Sequence, residues 1–398
     1  MKYFIGYKKS ILTSIGFLFF MGFLKAQQPN NARLLFEQQD VAAAKQSIDS
    51  FVLTNAGSAA GWLLKARIYN AISKDQNLKD LVADGRMDAF IALQKAMQLN
   101  KPYTQQELAA LQYSLPFDIY NGYTDDGLTW YNAGAESNDK NSFSTALDKF
   151  KKAGMVSRLI FTNGWGLTAF DTANTYYAAR AAIMAGKEED AFLLAKKIAD
   201  AGITQSLTTK TMERIYEWLA YYYKKQKDGN NLLKYARMST FYFPADVYFN
   251  LILVDWYRQQ QDYSNMFTQY QQLFTKQPGN SKYQLAYLND VFNYLFNNKV
   301  PITNRADYEN ILDNGLTAFV KSNSTSVAAR LLLAKLYFNQ GQEPAMRTAA
   351  ERINLLKRSN TNLKEILARF CNTTSENCEE ARLLLVRNIK VIKALQGR

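Results

Sequence analysis

The chain contains no histidine. That absence excludes Ser-His-Asp and Cys-His nucleophile pairs, His-ligated zinc and His-ligated haem. Cysteine is scarce as well. Cys371 and Cys378 are the only two, too few for a disulfide framework or a complete thiolate shell around a metal. Seven prolines and 19 glycines in 398 residues are few for a many-turned β-sandwich, and they point to helices. Acid is short relative to base: 35 Asp plus Glu stand against 48 Lys plus Arg, a formal net charge of +13. What is abundant is apolar surface. A hydrophobic share of 47% supplies a real core, for one large domain or two to three ordinary ones.

The stretch Ile11 to Leu24 is rich in Phe, Leu and Ile and carries no charge. Lys2, Lys8 and Lys9 precede it, and Lys25-Ala26-Gln27 follows. This is the layout of a secretory signal peptide over residues 1–26, with cleavage expected after Ala26. A buried helix and a retained anchor are the alternatives, but the stretch falls short of the roughly 20 residues that span a bilayer. No cysteine stands at the cleavage point for a lipid anchor. Cleavage removes 26 of 398 residues and four lysines from +13, leaving 372 residues at +9. The expected location is therefore the periplasm or cell envelope, or outside the cell. No integral membrane segment is expected after cleavage. Export favours a disulfide between Cys371 and Cys378, closing the polar run Asn-Thr-Thr-Ser-Glu-Asn; two free thiols are the alternative.

Internal repeats are present. Tyr223 and Tyr257 lie 34 residues apart, as do Pro244 and Pro278. A small residue recurs, followed twelve positions on by another small or apolar residue, then apolar residues four and seven further along. Gly134, Ala146, Phe150 and Ala153 fit it, as do Ala179, Ala191, Ala195 and Ile198. Ala220, Leu232, Ala236 and Ser239 follow, then Val254, Met266, Tyr270 and Leu273, then Ala334, Met346, Ala350 and Ile353. Ala66 joins Ala89, Leu93 and Ala96 if residues are looped out between them. The pattern predicts two antiparallel helices per unit, with small residues where the backbones cross. Gly186 and Gly341 fall at turns, and Pro244 and Pro278 follow helix ends.

This spacing resembles the tetratricopeptide repeat (TPR) family. Trp62-Leu63-Leu64-Lys65-Ala66-Arg67-Ile68-Tyr69 is similar to a family first helix, and Trp130 before Gly134 with Ala146, Phe150 and Ala153 is the best single match. The resemblance covers most of residues 32–358. It implies an all-α, right-handed α-α superhelix of about eight helix-turn-helix units. Residues 27–358 form the expected solenoid. Residues 359–398 form an expected C-terminal cap, whose helix over 379–395 packs through Leu384, Leu385, Ile389 and Ile392; a basic membrane-surface helix is the alternative there. Residues 74–86 and 297–307 read as insertions, and Pro102, Pro116 and Gly122 break register in 100–127.

No catalytic constellation emerges, so an enzyme is not expected. Gly164-Trp165-Gly166 lacks the remaining residues of a phosphate loop and reads as a turn. Asp125-Asp126-Gly127 lacks the other ligands of a calcium site and reads as a helix cap. Glu188-Glu189-Asp190 and Glu379-Glu380 read as helix starts.

First-helix residues line a concave groove in the family. The resemblance carries that role to Arg67, Asn70, Tyr131, Tyr176, Arg180, Tyr221, Lys224, Tyr248, Asp255, Arg258 and Lys335. Cations and tyrosines suit an extended peptide with acidic groups. The expected partner is a cell-envelope protein or peptide bound by a non-catalytic scaffold. A glycan in a nutrient-uptake system is the alternative, on the strength of 25 Tyr and 5 Trp, and a carboxylate-only hydrolase is a third reading. Export and the scattered cations argue against nucleic acid. No cofactor or metal is expected.

Overall fold

The computed structural model describes residues 29–205, 212–297, 302–371 and 375–397. The expected signal peptide, its cleavage point and part of the 297–307 insertion lie outside them. Among the described residues no strand forms, and the chain is a succession of α-helices. Two compact units divide it, near Ile198.

Unit 1 holds the pairs α1 (Asn30–Glu37) with α2 (Val41–Thr54), and α3 (Ala59–Lys74) with α4 (Gly85–Leu99). A single helix follows, α5 (Lys101–Ala110), and then α6 (Ser114–Ser137) with α7 (Lys140–Thr162). The helices α8 (Thr172–Ala185) and α9 (Glu188–Asp200) complete it, α9 running two residues past the boundary. Unit 2 holds α10 (Glu213–Lys225) with α11 (Gly229–Tyr242), and α12 (Tyr248–Gln259) with α13 (Tyr263–Lys276). It continues with α14 (Ser281–Asn297) and α15 (Arg305–Ser322), α16 (Val327–Gly341) and α17 (Ala349–Phe370), and closes on α18 (Glu376–Leu395). Each unit is a TPR-like stack of helical hairpins.

The repeat shows most clearly in the turns. Gln39, Asn138, Lys227 and Gln261 each adopt the left-handed conformation, with φ between +54° and +65°. An Asp follows each. Its N–H reaches back to the carbonyl five residues earlier: Asp40 to Leu35, Asp139 to Gly134, Asp228 to Tyr223, Asp262 to Tyr257. Its carboxylate then caps the next helix, accepting from the N–H of Ala43, Ser142, Asn231 and Asn265 respectively. One residue thus closes the C-terminus of one helix and opens the N-terminus of the next. In the α8–α9 turn Gly186 takes the left-handed position at φ +71°, where a side chain would be strained.

Packing follows the expected register over most of the chain. Ala66, Ala89, Leu93 and Ala96 are fully buried, as are Ala146, Phe150 and Ala153, and Ala220, Leu232 and Ala236. A Cβ on Gly134 would stand 3.1 Å from the Phe143 ring, so the small residue permits the α6–α7 approach. Separate apolar clusters fill the α1–α7 region and the α14–α16 region.

Four expectations fail locally. The register Ala334, Met346, Ala350, Ile353 slips, because Met346 is exposed in the connection before α17. Seven residues including Pro344 separate α16 from α17, whose first turn is set by a Thr348–Glu351 capping box. Leu356 and Ser359 then occupy the buried slots, with the Ser359 hydroxyl donating to the Ala334 carbonyl at 2.8 Å. The 358/359 boundary falls inside α17, so the cap begins within a helix rather than after one. Asp125-Asp126-Gly127 lies in the middle of α6, where Asp126 pairs with Arg86 instead of capping. In α18, Leu384 is buried, but Ile389 is 42% exposed; Cys378, Ala381 and Asn388 complete the packed face. Cys371 and Cys378 are joined by a disulfide between α17 and α18.

Candidate functional site

First helices of successive hairpins pack side by side. In unit 1, α3 contacts α6 and α6 contacts α8; in unit 2, α10 contacts α12, and α14 contacts α16. All eleven groove residues lie on these helices, but their surroundings differ.

In unit 1, Arg67 and Asn70 on α3 line a pocket of about 660 Å³ with Phe36, Lys74, Leu111, Leu115 and Asp118. The Arg67 guanidinium lies over the Phe36 ring, 5.7 Å from its centroid. It has no carboxylate partner among the described residues. Asn70 is 6% exposed. Its Nδ2 donates to Asp118 Oδ2 at 3.3 Å, which fixes the amide orientation, and its Oδ1 is buried with no partner. Lys74 pairs with the same Asp118 carboxylate at 2.8 Å. A free cation and a tethered cation therefore line one cavity, together with an asparagine whose buried acceptor is unused.

A second cluster in unit 1 is aromatic. Tyr131 on α6 and Tyr176 on α8 each meet Tyr177 edge-on, at 5.5 and 5.3 Å. Tyr177 stacks on Phe150 at 5.8 Å, and Tyr131 meets Phe143 at 5.4 Å. Burial pushes the Tyr176 hydroxyl up, while the neighbouring Arg180 works against that shift. Both residues are half-buried. Trp130, in the slot of the family's signature tryptophan, is 43% exposed and anchors nothing in the core. The Gly164-Trp165-Gly166 segment is a turn, as expected, with Trp165 buried and stacked on Tyr113 at 5.6 Å.

In unit 2 the expected groove cations are paired within the chain. Lys224 on α10 pairs with Asp255 on α12 at 2.8 Å, and Asp255 also takes Arg258 at 2.7 Å. Arg258 donates twice to the buried Asp290 of α14, from Nε at 2.9 Å and Nη2 at 2.8 Å. The Tyr270 hydroxyl donates to Asp290 as well, at 2.7 Å. Burial alone would raise the Asp255 carboxyl; the bonds from Lys224 and Arg258 more than reverse this, so it stays below the ordinary range. Lys335 is held by Glu380 of α18 at 2.7 Å, in a pocket of about 520 Å³ between α14, α16 and α18. These cations are spent on the neighbouring helix. Tyr221 is 54% exposed. Tyr248 is half-buried, and desolvation with the nearby Glu217 charge pushes its hydroxyl up to about 12.

Sequence reasoning missed Phe36, Asp118, Asp290 and Glu380. A signal existed for one of them. Lys224–Asp255 and Arg258–Asp290 are 31 and 32 residues apart, just under one repeat, so each acid sits one hairpin after its cation. Among the described residues no group of His, Cys, Asp and Glu is placed to hold a metal, and no helix is long and apolar enough to cross a membrane.

No family model and no curated protein matches the sequence. Solved helical structures are similar at low identity. The P58(IPK) TPR domain shares 11% identity, with 93% of this chain and 98% of that one covered and a TM-score of 0.28. A chain of the APC/C hetero-tetramer Cut9-Hcn1 shares 13%, over 90% and 74%, with a TM-score of 0.30. The hypoxic regulator of sterol synthesis Nro1, titled a nuclear import adaptor, shares 14%, over 70% and 99%, with a TM-score of 0.35. The scores are low, and the helical-hairpin fold rests on the packing described above.

Proposed function

We propose that this chain is an exported, non-catalytic TPR-like scaffold that binds a cell-envelope protein or peptide on the first-helix wall of unit 1. One observation carries the reading: the free Arg67 guanidinium beside the buried, unpartnered Asn70 Oδ1 in a single pocket. A buried acceptor left without a donor costs about 1–3 kcal/mol. A partner that supplies an N–H relieves that cost, and an acidic group on the same partner meets Arg67. The tyrosines at 131 and 176 offer flat, partly buried rings about 20 Å further along the first-helix wall, within reach of an extended peptide. Export rests on the charge and hydropathy of residues 1–26.

The test is crosslinking of the protein in its native envelope, followed by mass spectrometry of what is attached. One dominant protein, linked near Arg67 and lost in R67E and N70L, is the expected result. Polysaccharide in place of protein would move the reading to a glycan binder, and capture indifferent to both substitutions would remove the unit 1 pocket from it. N-terminal sequencing of the mature chain is expected to start at Gln27; a start at Met1 would end the export reading.

A further inference from the structure

The helix α18 has two faces. Cys378, Ala381, Leu384 and Asn388 are buried against α16 and α17. On the other side Leu383 is 53%, Val386 52% and Ile389 42% exposed. Three large aliphatic side chains within seven residues of one helix are therefore left in water. From Arg382 to Leu395 the helix carries four cations and no acid. Arg382 is engaged by Glu379 at 3.1 Å. Arg387, Lys390 and Lys393 have no carboxylate partner among the described residues, and at 100° per residue Lys390 falls between Leu383 and Val386 on the exposed side.

We propose that this face of α18 binds an anionic lipid surface, with Leu383, Val386 and Ile389 entering the interface and Arg387, Lys390 and Lys393 meeting the headgroups. The chemistry of the face selects the occupant. Aliphatic side chains interleaved with unpaired cations match the boundary between acyl chains and anionic headgroups, and long cationic stems extend from an apolar position to a polar one. A second copy of the chain would bring like charges together around the same three residues, which opposes self-association. The packing of α18 on α16 and α17 leaves the helix in place, lying along the surface rather than crossing it.

The test uses the full chain with a nitroxide label at V386C, mixed with vesicles of phosphatidylcholine alone or with an equal part of phosphatidylglycerol. A label at L53C, on the 83% exposed Leu53 of α2, is the control. The V386C label is expected to enter lipid on the anionic vesicles alone, while the L53C label stays in water. Replacing Arg387, Lys390 and Lys393 by Gln is expected to weaken that transfer on the order of a hundredfold, since each cation near an anionic surface contributes a several-fold factor. Added salt weakens it too. The helical circular dichroism is expected to stay unchanged, because none of the three side chains is buried. A V386C label that stays in water on anionic vesicles overturns the proposal, even if the chain binds through residues 11–24. So does equal transfer to neutral vesicles, insensitivity to the Gln substitutions, or a label buried without vesicles at twice the monomer mass.

Discussion

The first-helix walls of the two units use the same register positions for different purposes. In unit 1, Arg67 faces a cavity with its charge unmatched, next to an amide with an unused acceptor. In unit 2, Lys224, Asp255, Arg258 and Asp290 form a ladder that joins α10 to α12 and α12 to α14, and Lys335 ties α16 to α18. The unit 2 cations hold neighbouring hairpins in register. Among the described residues Arg67 in unit 1 has no carboxylate partner and lies over the Phe36 ring. A TPR-like repeat thus offers each position to either a ligand or a neighbouring helix, and a carboxylate on that neighbouring helix decides which.

The sharpest way to break this comparison is Asp290→Ala. It strips two bonds from Arg258 and one from the buried Tyr270 hydroxyl. Half-exposed Arg258 recovers water, so the expected loss is about 3 kcal/mol in urea unfolding, at the low end for a broken buried pair. A loss below 1 kcal/mol would make the ladder ornamental. The α4 cap Asp84 comes next. It accepts from the Met87 N–H, from the Tyr123 hydroxyl at 2.8 Å and from Lys152 at 2.9 Å. Asp84→Ala is expected to cost about 2 kcal/mol, combining a lost cap with an unpaired buried hydroxyl.

Asp84 also carries a pH dependence. Burial raises its carboxyl, but the bonds from Lys152, Tyr123 and the Met87 N–H more than reverse this, so the folded pKa is depressed. Its contribution is full above the unfolded value of about 4 and is lost as pH falls through the folded value. The gap between wild type and Asp84→Ala should therefore narrow in strong acid, keeping the part due to the buried Tyr123 hydroxyl; a gap that stays constant with pH would contradict the ion-pair contribution.

Lys224→Ala sharpens the comparison from the exposed end of the ladder. Its pair is partly solvated, so the expected cost is about 0.5–1 kcal/mol, falling with added salt. The smallest stability effect belongs to Arg67→Ala, expected within about 0.5 kcal/mol of wild type, yet with partner capture lost. The reverse pattern, with capture lost in Lys224→Ala and kept in Arg67→Ala, would move the contact to unit 2.

Much of the architecture was legible in spacing. The small residues at Ala66, Gly134 and Ala220 mark helix crossings because the backbone approach leaves no room for more. The Asp turns were legible but went unused. Asp139-x-x-Ser142, Asp228-x-x-Asn231 and Asp262-x-x-Asn265 each announce a cap, the Asp carboxylate accepting from the N–H three residues on. Register after Gly341 was not legible, since the capping box at Thr348 and the seven-residue connection outweigh an apolar pattern that Met346 only mimics. Trp130 misled for a similar reason: residue type fits the slot, while α6 turns the ring outward.

What the sequence determined by itself is local. Apolar residues at three- and four-residue intervals make helices, small residues let them cross, and an Asp after a left-handed residue ends one and starts the next. Which cations are free was decided only by tertiary structure. Charge neutralisation depends on a partner 31 or 32 residues away for Lys224 and Arg258 and 45 away for Lys335, and on the few ångströms that packing allows between them. The same holds for α18, where packing against α16 and α17 turned Leu384 inward and left Leu383, Val386 and Ile389 facing water.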